Sequence, residues 1–71
     1  MKTEKRSNHV VPSSTGWAVR KTGSYRATRN FSNKSEATSY AIELSKEEQT
    51  EVYIHKKDGT IEYKNSYRIS A

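Results

Sequence analysis

Apolar and polar residues alternate along several short stretches of this chain and shift to a helical spacing in one. His9-Val10-Val11-Pro12 is a short β-prone run ended by a proline, which cannot donate to a sheet ladder. Ser13-Ser14-Thr15-Gly16 reads as a turn. From Gly16 to Thr22 the alternation predicts a second strand, with Trp17 and Val19 on one face and Ala18 and Arg20 on the other. Thr22-Gly23-Ser24 supplies a hairpin turn, because Gly23 tolerates positive φ. Tyr25 to Phe31 follows as a third strand. Tyr25, Ala27, Arg29 and Phe31 share one of its faces, with Arg29 near enough to the strand end for its head to reach water.

The spacing then changes. Asn33 is a good N-cap, and Glu36 three residues later completes a capping box. Ala37, Tyr40, Ala41 and Leu44 fall at i, i+3, i+4 and i+7, which is one stripe of an amphipathic helix starting at Lys34. Glu47 and Glu48 oppose the helix macrodipole, so the helix is expected to fray there. Val52-Tyr53-Ile54-His55 is a fourth strand. Asp58-Gly59 is the strongest hairpin signal in the chain, and Ile61 to Tyr67 is a fifth strand.

The order is therefore βββ-α-ββ. The fold class expected is α+β, a small antiparallel sheet with one helix packed on one face. The expected core comprises Val11, Trp17, Val19, Ala27, Phe31 and Ala37, continued by Tyr40, Ala41, Leu44, Val52, Ile54 and Ile61. If Leu44 is fully buried, Leu44→Ala costs roughly 2–5 kcal/mol. Residues 1–8 are expected as a disordered basic tail, 9–68 as the single domain and 69–71 as a C-terminal tail.

Composition narrows the function more than the fold. With 71 residues the chain holds one domain at most. It has no cysteine, which removes both a disulfide framework and a thiolate for catalysis or metal binding. Apolar runs never exceed a few positions, so no signal peptide or membrane span is expected and the cytoplasm is the default location. The net charge of +5 is unevenly spread. Residues 9–33 carry Arg20, Lys21, Arg26 and Arg29 and no acid. Residues 34–51 carry Lys34 and Lys46 against Glu36, Glu43, Glu47, Glu48 and Glu51. Such asymmetry bears on partners and encounter rates.

The segments "HVVP" at His9, "GWAV" at Gly16, "YRATRNF" at Tyr25, "NKSEA" at Asn33 and "VYIHKKDGTIEYKNSY" at Val52 occur in a distinctive order and spacing. In these the chain resembles the family of small bacterial and phage proteins called domain of unknown function 2188, from about His9 to Tyr67. Asn33 stands where that pattern leads one to expect threonine, and Arg68 where it leads one to expect glycine. The resemblance implies a compact one-domain protein and implies no activity. The segment from Phe31 to Ala37, F-x-N-K-S-E-A, is also similar to the small hybrid-binding domain at the amino end of some ribonucleases H, which grips duplex RNA or RNA–DNA hybrid.

No enzymatic chemistry is legible. His9 and His55 are the only histidines and match no metal-ligand spacing. No strained elbow frames a serine nucleophile, and the three glycines are isolated turn residues rather than a phosphate loop. The expectation is a non-enzyme without metal, cofactor or small-molecule substrate. Arg20, Lys21, Arg26 and Arg29, with Tyr53 and His55 alternating out of the core, form a basic and aromatic surface of the kind that binds DNA or RNA. The same pattern on a half-exposed sheet also serves simply to keep it polar. Tyr25, Tyr53, Tyr63 and Tyr67 exceed what so small a core needs, and this favours a rival class, a protein-interaction module or homodimer.

Overall fold

The computed structural model describes residues 6–68. Its elements are β1 (Asn8–Ser13), β2 (Gly16–Lys21), β3 (Ala27–Phe31), α1 (Lys34–Glu48), β4 (Glu51–His55) and β5 (Ile61–Ser66). The strands form one sheet in the order β3-β2-β1-β4-β5, with β1 at its centre. The element order is the expected one, and the architecture is α+β. The sheet is mixed rather than wholly antiparallel, since β1 and β4 run parallel from Asn8↔Val52 to Val10↔Ile54. Chain direction accounts for this. After three antiparallel strands the chain travels in the sense of β1, α1 carries it back, and the next strand must run with β1. Pro12 lies beyond the last residue paired with β4, so its missing N–H interrupts no bond of the parallel ladder.

The helix packs on one face only. Val10, Trp17, Val19, Val52 and Ile54 meet Ala37 and Ala41 in the core, flanked by Phe31, Tyr40, Ile42 and Tyr67. Four expected core members lie outside this cluster. Val11 pairs with Ala18 on the opposite face, while Val10 pairs with the buried Val19. Ala27 is paired with Arg20 beside a register shift at Val19/Arg20. Ile61 follows a second shift at Ile54/His55 and is 52% exposed. Leu44 is half-buried and outside the core cluster, because α1 approaches the sheet through the small side chains Ala37, Ala41 and Ser45. The large loss expected for Leu44→Ala therefore belongs to a residue such as Ile54.

Asn33 caps the helix, its side-chain oxygen accepting the Glu36 N–H at 2.8 Å. This capping bond accounts for the Asn33 of the F-x-N-K-S-E-A pattern, and Phe31 and Ala37 of it pack in or against the core. At the other end α1 continues through Glu47 to Glu48. The Glu48 carboxylate accepts Lys21 Nζ at 2.7 Å and Asn8 Nδ2 at 3.2 Å, which offsets its poor position in the macrodipole. Gln49 closes the helix in the left-handed conformation at φ 56°.

Asn8, expected in the tail, is fully buried as the first residue of β1. Its amide donates to Ser45 Oγ at 2.9 Å, and its carbonyl accepts Lys21 Nζ at 2.9 Å. Ser7 belongs to the fold as well, since its carbonyl accepts the Thr22 N–H at 3.0 Å. Residues 1–5 and 69–71 of the expected tails lie outside the described residues.

Candidate functional site

Strand alternation places His9 and Val11 of β1 on the sheet face turned away from α1. Ala18 and Arg20 of β2 join them by pairing, and Tyr53 and His55 of β4 through the parallel register. The floor of this face is made of small side chains, Val11, Ala18 and Ala27. They line a trough of ≈ 610 Å³ with Arg20, Asn30 and His55 at its rim. A hollow of ≈ 260 Å³ adjoins it between Arg20, His9, His55 and Thr22. Ser13 Oγ is buried in the trough wall without a hydrogen-bond partner among the described residues.

The centre of the face is a row of rings. His9 stacks on Tyr53 with centroids 4.8 Å apart and planes 11° from parallel. The centroids of His9 and His55 lie 5.2 Å apart, with His9 Nδ1 and His55 Nε2 at 2.9 Å. The far nitrogens are also engaged, His9 Nε2 with Thr22 Oγ1 and His55 Nδ1 with the Gly59 carbonyl, each at 2.9 Å. Burial, and then the charge of His55, hold the His9 imidazole below its usual pKa. The Tyr53 hydroxyl donates to Glu51 Oε1 at 3.0 Å. That bond, followed by Arg68 and Ser7, keeps the Glu51 carboxyl below the usual range, and it raises the Tyr53 phenol. Lys64 Nζ sits over the Tyr53 ring at 5.6 Å.

The six residues expected to form a binding surface do not all share this face. Arg20, Tyr53 and His55 do. Arg20 donates to the Tyr25 carbonyl at 2.7 Å, which orients its guanidinium along the β2–β3 connection. Arg26 is exposed on that same connection, ahead of the start of β3 at Ala27. Lys21 borders the smaller hollow but turns its ammonium to the helix side, into the Asn8–Glu48 network, so its charge is spent there. Arg29 pairs with Val19 and also turns to the helix side, where its guanidinium lies 5.3 Å from the Phe31 ring and 5.5 Å from the Tyr40 ring.

Sequence reasoning missed His9, Thr22 and Lys64. Alternation alone sets His9 opposite Val10. Seeing that His9 meets His55 requires the parallel β1–β4 pairing, which an antiparallel expectation hides.

The lysines of the two sides are paired differently, whereas Arg29 of the helix side has no carboxylate among the described residues and Arg68 bonds Glu51. Lys21, Lys34 and Lys46 of the helix side are bonded to Glu48, Glu62 and Glu43. Arg20, Arg26, Lys56, Lys57 and Lys64 have no carboxylate partner among the described residues. They belong to the open face or to the β2–β3 and β4–β5 connections that end it. At the second of these, Asp58 is already engaged by the Thr60 N–H and hydroxyl, which hold its carboxyl below the usual range. Among the described residues no group of three or more metal-ligating side chains gathers, and no helix is long and apolar enough to cross a membrane.

A family model described as an uncharacterized protein conserved in bacteria (DUF2188) matches residues 8–67. The chain is 34% identical over 59 residues to the uncharacterized protein YdaT of Bacillus subtilis (strain 168), an alignment covering 83% of this chain and 39% of that protein. The chain thus spans about two fifths of the length of the curated relative it matches. No solved structure matches it.

Proposed function

The chain belongs to the uncharacterized bacterial family DUF2188, and from its geometry we propose that it is a cytoplasmic nucleic-acid-binding module rather than an enzyme, gripping the sugar–phosphate backbone across the open face of its sheet. The observation that carries this reading is the segregation of cations. Lys21, Lys34 and Lys46 beside the helix are paired with glutamates and Arg29 there lies over aromatic rings, while Arg20, Lys64, Arg26, Lys56 and Lys57 have no carboxylate partner among the described residues along and around the opposite face, where Glu51 is taken up by Tyr53 and Arg68. Unneutralised guanidinium and ammonium groups on a concave surface favour a polyanion, because each phosphate contact releases condensed counterions.

The rings play a narrower part than a base-stacking platform. The His9 and Tyr53 rings face each other, and both nitrogens of His55 are occupied. They shape the face and charge it, while phosphate contacts position the ligand with little regard to sequence.

The test is an electrophoretic shift titration with duplex and single-stranded DNA and RNA over a range of salt. Binding that weakens steeply with salt is expected. Arg20→Glu with Lys64→Glu should reduce affinity by roughly tenfold or more while leaving the thermal midpoint nearly unchanged. Unchanged affinity in the double variant, or salt-independent binding, rejects the reading.

A second reading has its own observation. Ile61 and Tyr63 are 52% and 48% exposed on β5, which is an edge strand. An exposed apolar edge is a ready template for a protein partner or for a second copy of the chain. Sedimentation at micromolar concentration that shows only monomer removes self-association.

A further inference from the structure

The 2.9 Å separation of His9 Nδ1 and His55 Nε2 has a strict consequence for protons. One hydrogen must lie between the two nitrogens, since two lone pairs would repel and two N–H groups would collide. The outer contacts fix the remainder. The Gly59 carbonyl can only accept, so His55 Nδ1 carries a proton. The Thr22 hydroxyl beside His9 Nε2 can either donate or accept. In the neutral pair Thr22 donates to His9 Nε2, His9 Nδ1–H donates to His55 Nε2, and His55 Nδ1–H donates to Gly59.

One added proton enters at His9 Nε2. That nitrogen then donates to Thr22 Oγ1, and the hydroxyl turns to the Ser7 carbonyl, 3.4 Å away. Every nitrogen is again satisfied, and the pair carries a single positive charge shared across its central bond. A second proton would set N–H against N–H across the same gap and finds no acceptor.

We infer that His9 and His55 form a one-proton switch at the centre of the open sheet face, and that its protonation tightens the grip of that face on a phosphate backbone. The second half rests on the nucleic-acid reading above.

The surroundings leave this pair as the group that changes charge. Arg20 is the register partner of His9 on β2, and Lys64 approaches from β5 over Tyr53. Lys56, Lys57 and Asp58 belong to the hairpin whose Gly59 carbonyl holds His55. Glu51 and Arg68 bond each other beyond Tyr53. Glu51 and Asp58 are both held below the usual carboxylate range and stay ionised while an imidazole titrates. The nearby cations disfavour a second proton further. The depressed His9 is in keeping with a pair that accepts one proton rather than two.

Two measurements on the full chain test the inference. NMR titration of the imidazole resonances, with no ligand present, should show one proton taken up by the pair between about pH 8 and 5, both rings following a shared transition. Two independent curves, each reaching full protonation, overturn the switch. The second is fluorescence anisotropy with a short duplex oligonucleotide lacking terminal phosphates. The slope of log affinity against log salt should steepen by about 0.9 at the acid end, the signature of one more phosphate contact neutralised. The double variant His9→Gln with His55→Gln, which leaves no imidazole on the face, should abolish that difference between the acid and neutral slopes.

The wild-type proton count decides the switch even if a variant does not fold. Binding that occurs without pH dependence overturns the coupling and leaves the proposed function standing. Absence of binding at every pH overturns the proposed function and the coupling with it.

Discussion

Val10 and Val11 are neighbours in the central strand, yet they belong to opposite regions of the molecule. Val10, with Asn8 below it, faces α1 and is fully buried. Val11, with His9 below it, faces the trough and is half-buried. Both faces contain polar groups, but they are satisfied differently. On the helix side Asn8, Ser45, Lys21 and Glu48 bond one another across three elements and fasten the helix to the sheet. On the open side the bonds run sideways, from Thr22 through His9 and His55 to Gly59, and tie strands and turns to one another with no second layer above them. Polarity inside the core here specifies how two layers dock, whereas polarity on the open face ties strands and turns together within one layer.

The largest expected effect breaks the comparison at its apolar residues. Ile54→Ala should destabilise the domain by roughly 2–5 kcal/mol in chemical denaturation, and Val11→Ala by well under half of that. Equal losses would mean that the open face is packed as tightly as the core. Next in size is the buried amide. Asn8→Ala removes the partner of Ser45 and one acceptor of Lys21, and should cost about 1–3 kcal/mol. A loss near zero would show that the Lys21–Glu48 bond alone holds that corner.

The smallest effect is a pH dependence that belongs to the open face. The His9 imidazole is depressed in the folded chain, so its contribution to stability is fully present above the unfolded value of about 6.5. As pH falls through that value the unfolded chain binds more protons than the folded one, and the contribution is lost towards the lower, folded value. Thermal midpoints should therefore decline below about pH 6.5 in the wild type and decline less in His9→Gln. A rise on acidification would mean the opposite sign of coupling.

Much of the fold was legible from short-range signals. The Asn33 cap, the Gly23 and Asp58-Gly59 turns and the alternation of Trp17 to Arg20 each rest on neighbours in sequence, and each is where the pattern places it. What the pattern hides depends on pairing at a distance. Two adjacent valines look alike until the register with β2 selects Val10. Ala27 and Ile61 look core-facing until a register shift turns each of them. Of the candidate site, Arg20, Tyr53 and His55 follow from alternation. Lys21 and Arg29 do not, because long cationic side chains on the inner face reach the layer boundary, where Lys21 finds Glu48 and Arg29 finds aromatic rings. The histidine pair was invisible for the same reason as the parallel ladder.

That ladder also constrains how the molecule assembles. The β1–β2–β3 meander can zip from its tight connections, but β1 acquires its second neighbour only after the whole crossover has been laid down. Non-local closure of this kind is slow relative to hairpin formation, because chain entropy is spent before the contacts that repay it exist. A folding transition state organised around β1, β4 and the helix between the two halves is expected. Substitutions at Val10 and Val52 should then slow refolding, while changes at the distal β3 edge should mainly hasten unfolding.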